Sequence, residues 1–315
     1  MITKHGEPEM KLTFAFCTYN RADRLENLVA SMRTQDCPVT FEILAINNNS
    51  KDNTLTILKN LADQPGALLR FVTETAPGIV PARNRAIEES LDSDILVFID
   101  DDELPQAGLL NAAYDAIVNE GAQCAGGRVE VDFTPHGRPA WLEDDLLGFL
   151  AEVKHGDTPF WITDDSTPIW TANIAYDMHL FRNDPGLRFD QRYNREGADV
   201  GGGGEDAIMF RALLSRGAKI RYRPDMAVRH FVDSWRLKRG YFLKLHYRAG
   251  IRYGRQQIPD YDKTILGVPP FLVTQFFKQC LTTIAKLAHA QPGMLRQAMN
   301  AAHALGTING YRSRQ

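Results

Sequence analysis

The stretch DILVFIDDDELP, residues 94–105, decides how the rest of the chain is read. It begins with five apolar residues in a row, Ile95 to Ile99, which is the pattern of a strand buried on both faces. It then turns into Asp100, Asp101, Asp102 and Glu103. Four neighbouring carboxylates repel one another, so such a cluster at the end of a core strand needs a reason.

The residues upstream supply a frame for it. KLTFAFCT, FEILAI, ALLRFVTE and DILVFI read as strands, and each is followed by a helix: about Ala22–Arg33, Asn53–Ala62, through Arg83 to Leu91, and Ala107–Glu120. Apolar strands alternating with amphipathic helices predict an α/β domain whose parallel sheet is covered by helices on both faces. Ligands of such sheets bind beyond the carboxyl ends of the strands. That rule puts TYNR (18–21), NNNS (47–50) and DDDE (100–103) along one rim. Past residue 130 the pattern loosens. Residues 132–168 hold four prolines with Trp141 and Trp161 and read as an irregular, binding-type insertion. A strand is expected over PIWTANIAY, then a glycine run, Gly201 to Gly204, opening a helix at Glu205. AKIRYRP and MAVRHF follow, and the remainder reads as helical. The expected boundaries are an α/β domain over 10–232 and a basic, amphipathic helical region over 233–315.

Composition narrows the classes. The chain has 315 residues, 44% of them hydrophobic and 24% charged, as in ordinary globular proteins. Its four cysteines, Cys17, Cys37, Cys124 and Cys280, form no CxxC pair, which argues against a zinc or disulfide framework and fits a reducing cytoplasm. No apolar leader precedes the first strand, and the run from Thr264 to Phe277, broken by Pro269 and Pro270, is too short to span a bilayer. The net charge of −3 hides an asymmetry. Residues 1–210 carry 17 Lys+Arg and 35 Asp+Glu, a net of −18, and residues 211–315 carry 19 and 4, a net of +15. The basic half expects an anionic partner, or else the acidic half. Arg236, Lys244, Arg248 and Arg252 are spaced by multiples of four, and PPFLVTQFFKQCLTTIAKLA carries an apolar face, so peripheral contact with an anionic membrane surface is expected.

Three groups of residues carry chemistry. Asp100 and Asp102 flank Asp101 with a spacing that lets two carboxylates meet one hard cation. Glu205 and Asp206 stand at a helix N-terminus, where a carboxylate is stabilised and either could serve as a general base. His230, in AVRHF, offers an imidazole that could complete a site begun by carboxylates.

Taken in order, FCTYNR, FEILAINNNS, PGIVPARNRAIEES, SDILVFIDDDELP, WTANIAY, GGEDAIMFRALLSRGAKIRYRP and AVRHF resemble glycosyltransferase family 2, over roughly residues 11–232. The resemblance is strongest to bacterial enzymes of exopolysaccharide, capsule and lipopolysaccharide synthesis. It implies a GT-A fold, a Rossmann-like mixed sheet flanked by helices, and an inverting, metal-dependent transfer from a nucleotide-sugar. The acceptor implied is a glycan or a lipid-diphosphate-linked glycan, at the cytoplasmic membrane face, with no nucleic-acid partner. It implies roles by position. Thr18, Tyr19, Asn20, Arg21, Asn47 and Asn49 would face the nucleoside, and Arg83 and Asn84 would lie near the nucleotide. Asp100, Asp101 and Asp102 would meet ribose and diphosphate, with Mg2+ or Mn2+ held by Asp100, Asp102 and His230. Asn173 would line the sugar pocket, and Asp206, with Glu205 beside it, would act as base. One departure stands out. The family usually places Asp where this chain has Asn47, and an uncharged amide accepts more weakly from uracil N3–H. A UDP-sugar is expected, with thymidine or guanosine donors as alternatives. Three other readings of the same residues are a nucleotide-sugar-binding protein without turnover, a nucleotidyltransferase, although its GxGTR loop is missing, and a metal-dependent phosphohydrolase, although a second set of ligands is missing.

Overall fold

The structure, a computed structural model, describes residues 10–194, 204–289 and 291–314. It divides into two compact units. Among the described residues the first comprises 10–132, 151–194 and 204–231; the second holds 133–150, 232–289 and 291–314.

The first unit is built on one mixed sheet. Its strands are β1 (Leu12–Thr18), β2 (Phe41–Asn47), β3 (Leu69–Thr73), β4 (Ile95–Ile99), β5 (Glu103–Pro105), β6 (Cys124–Asp132), β7 (Phe160–Ile162), β8 (Asn173–Asp177) and β9 (Ile220–Phe231). The order is β3-β2-β1-β4-β8-β6-β9-β5, with β7 also on β9. The parallel quartet β3-β2-β1-β4 is where the alternating pattern placed it, because every side chain of β4 and nearly every one of β1 is buried. Helices α1 (Leu25–Arg33), α2 (Thr54–Ala62), α3 (Ile79–Glu89) and α4 (Leu109–Tyr114) connect or follow these strands, and α3 packs on β1 and β2. The helix expected over 107–120 is divided: α4 ends at Tyr114 and a π-helical turn takes Asp115–Asn119.

Beyond β4 the sheet turns antiparallel, through β8. The strand expected from Pro168 begins only at Asn173, because residues up to Ala172 are turn and irregular chain. AKIRYRP and MAVRHF form the single strand β9, which β6 follows in parallel with a break in register between Gly127 and Arg128. A Cβ on Gly127 would stand 1.6 Å from the Met226 carbonyl oxygen, so glycine is what lets the two backbones close at the bulge. Pro224, which donates no hydrogen bond, sits in the three residues the bulge skips. Two short helices complete the unit, α5 (His179–Asn183) and α6 (Glu205–Ser215).

The second unit is helical: a 3-10 turn over Asp144–Leu150, then α7 (Arg239–Gln256), α8 (Pro270–Ala288) and α9 (Met294–Arg312). The sequence reading kept 133–150 with the catalytic domain. Here Trp141 packs edge-on against Phe242, and Phe149 against His246, which ties the segment to α7. Gly250 and Gly254 of α7 face the His303 and Thr307 carbonyls, and Gly306 and Gly310 of α9 face those of Tyr247 and Ile251. The two numberings rise together, so α7 and α9 run parallel and touch through glycine faces.

Candidate active site

The rim is built from the ends of the parallel strands. Thr18 closes β1 opposite Asn47 of β2, and Asn47 lies opposite Thr73 of β3. Asn20 and Asn49 both hold positive φ (53° and 55°), a conformation asparagine tolerates better than most residues. Their loops are sewn together. The Asn20 side chain accepts from the Lys51 amide at 2.7 Å, and the Asn20 amide donates to Ser50 Oγ at 3.0 Å. Asn49 accepts from the Lys51 ammonium. Tyr19 is exposed beside them, and Thr18 is buried. Asn47 is buried too: its Oδ1 accepts from the Ser50 amide at 3.1 Å and its Nδ2 donates to Thr73 Oγ1 at 3.5 Å. Asn48, to which the sequence reading gave no role, secures the opposite wall by donating to the Ala76 carbonyl and accepting from the Gly78 amide.

Arg83 is the hub. It lies on the buried face of α3, 2% exposed, so its charge is out of water. Nη1 donates to Asp206 Oδ1 at 2.8 Å and to Glu205 Oε1 at 3.1 Å, and Nη2 donates to Asp100 Oδ1 at 3.2 Å. Burial works against its charge, but the neighbouring Asp206, Asp100 and Glu205 outweigh burial and hold the guanidinium well above its usual range. Thr171 adds a hydrogen bond from its hydroxyl to the same Asp206 oxygen. Two donors on one oxygen fix the plane of that carboxylate. Thr171 stands two residues before Asn173, in the segment expected to line the pocket. Asn173 itself is buried, and its amide donates to the carbonyls of Arg128 and Met226. Asn84 is likewise a brace, exchanging two hydrogen bonds with the Phe189 backbone. Of the glycine run, only Gly204 lies within the described residues, where its left-handed backbone opens α6.

The acids after β4 divide between two directions. Asp100 goes to Arg83 and keeps 36% of its side-chain surface; burial, Asp102 and Asp206 push its carboxyl up while Arg83 opposes them. Asp101 faces Arg21 Nε at 4.0 Å, and burial together with Asp102 lifts it to about 7. Glu103 turns inward, fully buried, and accepts from the Asp100 amide at 3.0 Å. Burial and the charges of Asp100 and Asp102 push it well above the carboxylate range. Opposite it on β9 stands His230, whose Nδ1 lies 3.5 Å from Asp102 Oδ1 and 3.8 Å from Glu103 Oε1.

The expected metal trio is therefore not gathered. Among the described residues no three His, Cys, Asp or Glu side chains converge as a cation would require, because Asp100 is held by Arg83 instead. Asp102 and His230 do converge. An imidazole beside carboxylates is a fitting donor set for a divalent ion such as Mn2+, and no hydrogen-bond donor reaches Glu103 Oε1 among the described residues.

The pattern described as "Glycosyl transferase family 2" matches residues 13–185, more than half of the chain. The chain belongs to glycosyl transferase family 2. This family member is 34% identical over 112 residues to YfnE of Bacillus subtilis, described as an uncharacterized glycosyltransferase; the match takes in 35% of this chain and 28% of that relative. The chain thus spans less than a third of that relative's length. In fold it is similar to the mannosyltransferase PcManGT from Pyrobaculum calidifontis, in complex with GDP-Man and Mn2+. The TM-score is 0.60 at 18% identity, covering 96% of this chain and 88% of the other. It is also similar to S. aureus TarS 1–349 in complex with UDP-GlcNAc, with a TM-score of 0.57 at 15% identity over 97% and 93% of the two chains. The family 2 chain has the GT-A fold of these neighbours, with further helices toward its C-terminal end.

Proposed function

We propose that the first unit transfers a sugar, with inversion, from a nucleoside-diphosphate sugar to a hydroxyl of a glycan or lipid-linked glycan, as in surface-polysaccharide synthesis. The observation that carries this reading is the buried Arg83, bonded at once to Asp100, where the donor is expected, and to Asp206, where the acceptor is expected. Such a link presets the distance between the two reactants, and pre-set distance is a large part of catalysis in a two-substrate reaction.

In this reading Asp206 takes the proton of the acceptor hydroxyl as its oxygen attacks the anomeric carbon. The bond from that carbon to the diphosphate breaks on the opposite side, and its electron pair leaves with the diphosphate. Thr171 and Arg83 hold Asp206 in place for the transfer. Asp102 and His230 would hold a divalent cation, which when bound offsets negative charge on the departing diphosphate. TarS and PcManGT were solved with a UDP-sugar and a GDP-sugar respectively, so the fold accommodates either base. Asn47 favours neither, since its side chain is engaged with Ser50 and Thr73.

A screen of UDP-, GDP- and dTDP-sugars, read by nucleotide release with and without acceptor glycans, tests the reading. Release that depends on one donor class and is lost in Asp206→Asn is the expected result. Nucleotide binding without turnover, across all acceptors tried, would favour the binding-protein alternative.

A further inference from the structure

The start of α8 packs Leu272 and Val273 against Tyr311 and Ile308 of α9, but farther along the helix the inward side turns polar. There Gln279 accepts at 2.7 Å from Gln297, and Thr283 donates to the Gln279 and Gln297 carbonyls. The outward side carries Phe277, Leu281 and Ile284, spaced four and three residues apart and all exposed. The exposure extends at both ends, to Leu287, and back to Phe271 and Leu266, the last 88% exposed. Eight of the fifteen exposed large hydrophobic side chains among the described residues fall between 261 and 287, so the patch is concentrated rather than scattered.

Charge decides what covers it. From residue 261 to the end the sequence has six Lys and Arg against a single acid, Asp262. Lys278 stands beside the outward stripe, and Lys286 and Lys263 follow and precede it. A surface meant for a second copy of itself would set these cations against one another, whereas anionic headgroups complement them. Among the described residues no helix is long and apolar enough to cross a membrane, so α8 would lie in the plane of the interface. We propose that the outward face of α8, with the 261–268 loop before it, seats the protein on an anionic lipid surface, Leu266 and Phe277 entering the acyl boundary and the lysines reaching phosphate. The idea deepens the proposed function by naming what brings the enzyme to a lipid-linked acceptor, and in that respect rests on it; the surface itself does not.

The test is flotation of the full chain with vesicles of phosphatidylcholine alone or with about 30% phosphatidylglycerol. Binding is expected only with the anionic lipid and is expected to fall on raising salt, since headgroup attraction is screened. Leu281→Gln/Ile284→Gln, whose side chains face solvent and bear on no core, should reduce partitioning at least about tenfold. Lys278→Gln/Lys286→Gln should reduce it further at low salt than at high. Equal binding by wild type and both double variants, or no binding to anionic vesicles, overturns the proposal. So does a wild-type dimer in solution that the apolar double variant converts to monomer without any vesicle binding. Nucleotide release without vesicles is measured in parallel: a variant that keeps turnover but leaves the vesicles separates this surface from the transfer chemistry, and a wild type that floats without turnover sinks the transferase reading alone.

Discussion

At the scale of the residue, one guanidinium organises the site. Removing Arg83 leaves Glu205, Asp206 and Asp100 facing one another without a cation. Arg83→Met is expected to destabilise the fold by about 3–5 kcal/mol, the range for breaking a buried ion pair from one side, read in denaturant melts. Arg83→Lys should recover part of the stability but little activity, because a single ammonium cannot reproduce the planar fork. Asp206→Asn should lower kcat by about 10²–10⁴ with donor affinity nearly unchanged. If Glu205→Gln is the damaging change instead, the base has been misassigned. For the metal, Asp102→Asn and His230→Ala should each weaken Mn2+ binding in the presence of nucleoside diphosphate, measured calorimetrically. Asp100→Asn should weaken it less, since Asp100 is turned to Arg83. Equal losses across the three would restore Asp100 to the metal.

At the scale of the element, the glycines of α7 and α9 set what those helices can do. A Cβ at Gly306 would stand 1.9 Å from the Tyr247 carbonyl oxygen, so the helices must part to admit one. Gly306→Ala is expected to cost about 1–3 kcal/mol and Gly250→Leu to unfold the second unit, followed by limited proteolysis. The same helices hold an acid-sensitive residue. His246, packed on Phe149, is lowered to about 4 by burial, with Arg296 and His303 of α9 adding to the effect. The unfolded chain takes up this proton near 6.5 and the folded one only near 4. The contribution is therefore complete above 6.5 and is lost as pH falls toward 4. The melting temperature of wild type should drop over that window more steeply than that of His246→Phe, and parallel curves would refute the assignment. Little of this was legible in advance. Spacing displayed the basic stripe of α7 but not that Phe242, Gly250 and Gly254 are its buried side. Likewise β6 escaped notice, because CAGGRVEVD lacks the apolar run of β4 and owes its place to pairing with β8 and β9.

At the scale of the whole molecule, the four parallel strands and their rim were readable because buried strands and chain reversals leave local marks. Asp100, Asp206 and His230 could be singled out by company and order. What could not be read was which carboxylate faces which partner. Arg83 and Asp206 are 123 residues apart in the chain, and only the fold brings them within 2.8 Å. Thr171 shows the same limit, since nothing in WTANIAY distinguishes it from Asn173. The division into units was also hidden, because 133–150 is far in sequence from the helices it joins. A chain ended at residue 232 would leave Trp141 and Phe149 without Phe242 and His246. Such a truncation is expected to aggregate, whereas removing 133–150 together with the helices should yield more soluble protein, compared by expression and size-exclusion chromatography.

The pairing of β5 with β9 reaches further than the proposed metal site beside it. Glu103 meets His230 because β9 runs twelve residues without interruption, from its pairing with β7 at Ile220 to its end at Phe231. Gaining or losing one residue after the bulge would exchange His230 for Arg229 or Phe231 at that position and turn the imidazole to the other face. A lineage carrying this fold is thus free to lengthen its surface loops and to change most side chains of β9, but not to alter the count of residues between Met226 and His230. Length, more than identity, is what this strand has to inherit.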